Sequence, residues 1–142
     1  MALELGATHV IDPGETADLA AAVRAITPVG VDFAIDTTGV PELLQSAIGC
    51  LGSKAVFGII GVAPPGTPVP GEVGDLVTFG YTIKGIIEGD SDPDTFIPEM
   101  IEHYQAGRMP FDKMITVYPL SDINQAVADQ AAGKCIKVVL TP

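Results

Sequence analysis

The sequence predicts an α/β fold with a mostly parallel sheet, on three observations. Strand-like and helix-like hydrophobic periods alternate along all 142 residues, the pattern of strands joined by crossover helices. Residues 54–62 (Lys-Ala-Val-Phe-Gly-Ile-Ile-Gly-Val) are almost continuously apolar, as a strand covered on both faces requires. Glycine and proline fall between the periodic segments and so punctuate them.

The elements follow in order. Met1 to Leu5 read as a last helical turn stopped by Gly6. A helix met only at its end suggests a natural chain that starts well upstream. Thr8 to Ile11 read as a short strand, and Asp18 to Ile26 as a helix with Leu19, Val23 and Ile26 on one face. Val31 to Thr37 alternates apolar and polar residues and reads as a strand. Pro41 opens a helix whose Leu43, Leu44, Ala47, Ile48 and Leu51 share a face and whose stop is Gly52. After strand 54–62, Ala63-Pro64-Pro65-Gly66 breaks the structure, and Thr82 to Glu88 is another apolar strand. A helix from Thr95 to Ala106 presents Phe96, Ile97, Met100, Ile101 and Tyr104 as a buried stripe, with Gly107 as stop. A strand at Ile115 to Tyr118, a helix capped by Ser121 that runs to Gly133, and a strand from Cys135 to Leu140 complete the chain.

Composition bounds the function. Seven basic against eighteen acidic residues give a net charge of −11, which repels phosphate backbones and argues against nucleic-acid binding. No apolar run approaches the length of a membrane span, and Met1 leads directly into Ala-Leu-Glu-Leu without a basic signal-peptide region. The expectation is a soluble, cytoplasmic protein. Cys50 and Cys135 lack metal-ligand spacing and read as buried apolar fillers, not as a disulfide. Glu88, Asp90, Asp92, Asp94 and Glu99 imitate the spacing of a calcium loop. Pro93, however, stands where that loop needs glycine, and acids ahead of a helix are explained by its dipole.

Two strand ends stand out. Val31 to Thr37 runs into Asp36-Thr37-Thr38-Gly39, and 54–60 runs into Gly61-Val62-Ala63-Pro64-Pro65. Small residues at the carboxyl ends of adjacent parallel strands mark the crevice where an open α/β sheet holds its ligand.

With these stretches, the chain resembles the medium-chain, zinc-dependent alcohol dehydrogenases. Glu4-Leu5-Gly6-Ala7-Thr8, Gly30-Val31-Asp32 through Gly39, Gly58 to Pro65 and Ile83-Lys84-Gly85-Ile86 carry the likeness in its first part. Phe111 to Thr116, Asp122 to Ala126 and Gly133 to Leu140 continue it, so seven collinear pieces cover nearly the whole chain. Glu88-Gly89-Asp90-Ser91 and Phe96-Ile97-Pro98 look like the aryl-alcohol (benzyl-alcohol) branch.

The resemblance implies an incomplete Rossmann-like, doubly wound sheet in a single domain. Residues 1–107 would be a partial nucleotide-binding domain without its first two strands. Residues 108–142 would be a tail returning toward the catalytic domain of the parent fold. It implies NAD or NADP as cofactor, with Thr37 and Thr38 along the adenosine and ribose side. Ile60, Gly61 and Val62 would lie beside the nicotinamide ring and its ribose, and backbone groups of Ile86 and Glu88 would hold its carboxamide. Lys137 stands where the family often carries an arginine for the pyrophosphate, and offers a point charge in place of a fork.

The Gly-x-Gly-x-x-Gly turn and the ribose-binding acid are not in the sequence, and His9 and His103 lack the spacing of zinc ligands. No catalytic residue is assigned. Without the family match, Thr37 and Thr38 read as strand-end turn residues, and Lys137 as a solvated charge. His9 and His103 read as surface residues. The resemblance thus implies the cofactor-binding part of an alcohol dehydrogenase (alcohol to aldehyde, hydride to NAD), inactive as this chain alone. The alternatives are an association module without catalysis, or part of a zinc-free quinone or enoyl reductase of the same superfamily. A homodimer through strand 82–87 is expected, because a bare apolar edge seeks a partner strand. The outer side of strand 31–37 is expected to be covered by the short strand near His9 or by a second chain.

Overall fold

The computed structural model describes residues 1–142, which divide into two compact units: His9–Ser91, and Met1–Thr8 with Asp92–Pro142. The sequence reading draws its division at residue 107, whereas the compact units part between Ser91 and Asp92.

The unit His9–Ser91 contains α1 (Leu19–Ile26), β1 (Val31–Asp36), α2 (Pro41–Cys50), β2 (Leu51–Ile59), α3 (Val73–Phe79) and β3 (Thr82–Gly85). The strands form a three-stranded, all-parallel sheet in the order β1-β2-β3. Asp18 caps α1 by accepting from the Ala21 N–H at 2.8 Å, and Pro41 opens α2 at a first-turn position where its missing N–H is harmless. The core is Leu44, Ile48, Leu51, Ala55 and Phe57. The central strand is therefore the buried one, as its unbroken apolar run requires. Strand β2 bulges near its start: Val31 faces Leu51 but Phe33 faces Val56, and Lys54 takes φ 62° within the bulge.

Arg24 ties α1 to the turn between α2 and β2. Its Nε donates to the Gly49 carbonyl and its Nη2 to the Leu51 carbonyl, both at 3.0 Å. An Arg24→Met variant keeps the aliphatic stem and loses these charge-assisted bonds, so it is expected to destabilise the fold by about 1–2 kcal/mol. Urea denaturation measures this, and an unchanged midpoint would show that water replaces the guanidinium without loss.

The second unit contains α4 (Pro93–Gln105), β4 (Ile115–Pro119), α5 (Ile123–Ala131) and β5 (Lys137–Thr141), preceded by a 3₁₀ turn at Leu3–Leu5. Strands β4 and β5 pair in parallel, and Gly6 ends the first turn at φ 107°. Asp129 gathers this unit's polar contacts, accepting from the Tyr118 hydroxyl (3.1 Å), Gln125 (3.0 Å) and Lys134 (2.7 Å). Reduced solvation first, and then the Asp129 carboxylate, push the Tyr118 hydroxyl up to about 12.

The α/β class and the parallel pairing agree with the sequence reading; several details differ. Residues 8–11 form no strand, so β1 ends the sheet, and Phe33 and Ile35 on it are 74% and 65% exposed. No strand near His9 covers that edge. Helix α2 stops at Cys50 and β2 begins at once at Leu51, because Leu51 is drawn into the core at 1% exposure. Helix α3 lies among Gly and Pro signals that mask it in the sequence. On α4, Phe96, Ile97, Ile101 and Tyr104 are exposed, not a buried stripe, because periodicity marks an apolar face and not whether anything covers it. Ser121 does not cap α5: its hydroxyl donates to the Asp122 side chain at 3.1 Å, ahead of a helix without a side-chain cap. Cys50 and Cys135 are free and buried. No helix is long and apolar enough to cross a membrane.

Candidate cofactor site

The site grows from the carboxyl ends of the three parallel strands. Asp36, Ile59 and Gly85 stand in register, so the chain leaves the sheet at neighbouring points 36–39, 59–62 and 85–88. Backbone bonds join these tips. Ile60 and Gly61 both donate to the Asp36 carbonyl, at 2.8 and 3.2 Å, and Ile86 donates to the Ile59 carbonyl at 2.9 Å.

Asp36 is the organiser of the first two tips. Its carboxylate, 8% exposed, accepts from the Thr38 hydroxyl at 2.7 Å and from the Gly39 N–H at 2.8 Å. Burial pushes this carboxyl up, but the Thr38 hydroxyl and the Gly39 and Thr38 N–H groups outweigh burial and hold it below the ordinary 3.8. A charged group therefore sits under the strand tips with both of its oxygens hydrogen-bonded.

Two glycines let the tips approach. Gly39 has φ 67°, and a Cβ there would lie 2.6 Å from the Val62 carbonyl. A Cβ on Gly61 would overlap the Gly39 nitrogen and lie 2.6 Å from Asp36 Oδ2. No side chain fits between β1 and β2 at this level, which is the use of glycine where one backbone passes close over another.

Between the tips of β2 and β3 opens a groove of about 580 Å³, lined by Ile59, Ile60, Val62, Gly85, Ile86, Ile87 and Glu88. Its walls are apolar, with Glu88 as the only charged lining residue. Thr37 and Thr38 are exposed at the neighbouring tip of β1. The Thr38 hydroxyl is already engaged, donating to Asp36 and accepting from the Val40 N–H at 3.1 Å.

Of the residues singled out from sequence, Thr37, Thr38, Ile60, Gly61, Val62, Ile86 and Glu88 thus lie on three adjacent strand ends of one unit. Lys137 belongs to the other unit, where it is exposed at the start of β5 beside a second apolar pocket with Phe111, Met114, Ile115, Ile136 and Val139. Sequence reasoning missed Asp36 as an organiser and Ile87 as a lining residue. The Asp-Thr-Thr-Gly run at a strand end was the available signal for Asp36, since an acid there can accept from the turn that follows it. No group of three or more His, Cys, Asp or Glu side chains is arranged to hold a metal ion.

The match to known families decides the relationship: residues 1–106 match the zinc-binding dehydrogenase model. The chain belongs to the zinc-binding dehydrogenase family. Within that family it is 43% identical over 140 residues to the geraniol dehydrogenase of Castellaniella defragrans, covering 99% of this chain and 38% of that protein. The alcohol dehydrogenase zinc-binding domain protein of Burkholderia ambifaria superposes with TM-score 0.90 at 46% identity, over 98% of this chain and 37% of that one. Benzyl alcohol dehydrogenase of Acinetobacter calcoaceticus superposes with TM-score 0.89 at 41% identity, over 98% and 38% of the two chains. The likeness to zinc-type alcohol dehydrogenases, including the benzyl-alcohol branch, is thereby borne out. This zinc-binding dehydrogenase chain spans a little over a third of the length of these relatives.

Proposed function

We propose that this chain is the cofactor-orienting part of a cytoplasmic zinc-type alcohol dehydrogenase. On this reading the nicotinamide of NAD or NADP lies against the tips of β2 and β3. The observation that carries the reading is the apolar groove floored by Ile60, Val62 and Ile86 at the carboxyl ends of neighbouring parallel strands. A flat, weakly polar ring fits such a floor, and the backbone beside it supplies directionality. The Ile86 N–H is engaged by the Ile59 carbonyl. The Ile86 carbonyl and the Glu88 N–H are therefore the groups left to meet a carboxamide, the first accepting from its NH₂ and the second donating to its oxygen.

Thr37 follows along the ribose and adenosine side. Because the Thr38 hydroxyl is engaged with Asp36 and Val40, Thr38 contributes through its backbone and by shaping the turn. Gly61 allows ring and ribose to approach the chain closely. When bound, the nicotinamide accepts hydride from an alcohol or returns it to an aldehyde. The chain's residues orient the ring and exclude water from one of its faces. No residue among 1–142 is proposed as a metal ligand. Residues 1–107 serve as nucleotide-binding part and 108–142 as the returning tail. A homodimer through the outer edge of β3, the end strand of the sheet, goes with this reading.

Calorimetric titration of the chain with NAD tests the proposal. The expected result is weak saturable binding, with a dissociation constant on the order of 1 mM, as a site built from few contacts gives. Val62→Glu, which sets a hydrated carboxylate on the apolar floor where the ring would lie, on a side chain 94% exposed, is expected to weaken it strongly without loss of fold. A folded chain that takes up no NAD would overturn the reading and favour an association module.

A further inference from the structure

Residues 88–90 form the one run in the chain where consecutive residues all take left-handed backbone: φ is 47° at Glu88, 72° at Gly89 and 52° at Asp90. Gly89 adopts this without steric conflict and Asp90 at small cost, whereas Glu88 is held there against its preference. Residues held in such conformations persist where the surroundings over-determine them, and they concentrate at ligand clamps and active sites. Here the turn follows directly on Ile86, Ile87 and Glu88, which line the groove.

Three contacts hold it. The Asp90 N–H donates to the Ile87 carbonyl at 2.8 Å, and the Ser91 hydroxyl donates to the Glu88 carbonyl at 3.0 Å. Lys84, on β3, reaches across the turn to the Asp90 carboxylate, Nζ to Oδ2 at 2.5 Å. Lys84 lies two residues before Ile86 and Asp90 two residues after Glu88. The ion pair therefore brackets Ile86, Ile87 and Glu88, which line the groove. Both side chains are substantially exposed, 58% and 42%, and exposed pairs contribute little to global stability. The hydrogen bond from Lys84 holds the Asp90 carboxyl below the ordinary carboxylate range.

We propose that Lys84 and Asp90 are positioning residues for the cofactor: by closing the left-handed turn, their ion pair sets the Ile86 and Glu88 backbone at the orientation a carboxamide needs. This rests on the cofactor reading above. It extends it to two residues that stand outside the lining of the groove and to which the family likeness assigns no role.

Asp90→Asn separates the pair from the turn's backbone preference, because asparagine accepts left-handed backbone well and lacks the charge. The measurements are NADH affinity by nicotinamide fluorescence, backbone amide resonances of 86–91 in the free chain, and the urea midpoint. Asp90→Asn and Lys84→Met are expected to weaken NADH binding roughly three- to tenfold and to move the 86–88 resonances, with the midpoint unchanged. Lys84→Arg, which keeps the ion pair, is expected to restore both affinity and resonances. Wild-type affinity with unmoved 86–88 resonances in Asp90→Asn overturns the proposal. So does a loss of affinity matched by a fall in the midpoint, which marks a general structural role. If the wild-type chain takes up no NADH while the 86–88 resonances move and Lys84→Arg restores them, the cofactor reading falls and the pair's control of the turn stands.

Discussion

Replacing Gly61 by alanine is expected to destabilise the strand tips by about 3 kcal/mol or more, the upper range for a group forced into a closed space. The added Cβ would overlap the Gly39 nitrogen and lie 2.6 Å from Asp36 Oδ2 and 2.7 Å from the Thr38 carbonyl carbon. Two of these neighbours are backbone and the third is a buried carboxylate with its hydrogen bonds already made. None is the free end of a flexible side chain. Relief therefore requires β1 and β2 to part at their tips, which breaks the bonds from Ile60 and Gly61 to the Asp36 carbonyl. Urea denaturation measures the loss. Gly74→Ala in α3 serves as contrast: a Cβ there meets nothing within 4 Å, so helix propensity should raise stability by about 0.5–1 kcal/mol. A Gly61→Ala chain as stable as wild type would show that the two tips are free to spread.

Asp36→Ala is the second large effect, expected near 3 kcal/mol, because it leaves the buried Gly39 N–H without its acceptor. Asp36→Asn keeps the shape and one acceptor and is expected to lose about half as much. The pH dependence has a definite sign. The folded pKa of Asp36 lies below its ordinary 3.8, so its contribution is fully present above the unfolded value and is lost as pH falls through the lower folded one. The stability gap between wild type and Asp36→Asn should therefore be constant above about pH 5 and shrink as pH is lowered toward about 2. Urea midpoints of both proteins across that range provide the check, and a gap that widened on acidification would contradict the assigned ionisation. Together the two variants ask whether the floor beside the groove is built by backbone crossing, by the buried acid, or by both.

Much of the fold was legible in the sequence because it rests on local chemistry. Pro41 at a helix start, Asp18 as a cap and the unbroken apolar run of β2 each act within a few residues of themselves. Their elements appear where the reading put them, apart from their ends. The errors have a common cause. The helix face on Phe96, Ile97 and Ile101, the strand near His9 and the end of α2 all depended on what packs against a segment, which periodicity cannot state. For the site, the glycine-bearing ends near 39 and 61 were visible as small residues after strands. The Asp36 clamp was not, because an acid at a strand end becomes an organiser only when the turn after it folds back. Lys84 and Asp90 were invisible as a pair, since their meeting depends on a left-handed turn between them.

By itself, the sequence determined the alternation of strands and helices and the buried central strand, because hydrophobic period and turn chemistry are properties of neighbouring residues; the dehydrogenase family was legible only through the likeness of its motifs to known members. Only the tertiary structure decided that the tips at 36–39, 59–62 and 85–88 stand side by side, that Asp36 is buried beneath them, and that a groove opens between two of them. Those are consequences of parallel register between segments more than twenty residues apart in sequence. Such register is set by which faces pack across the sheet, a relation between distant segments.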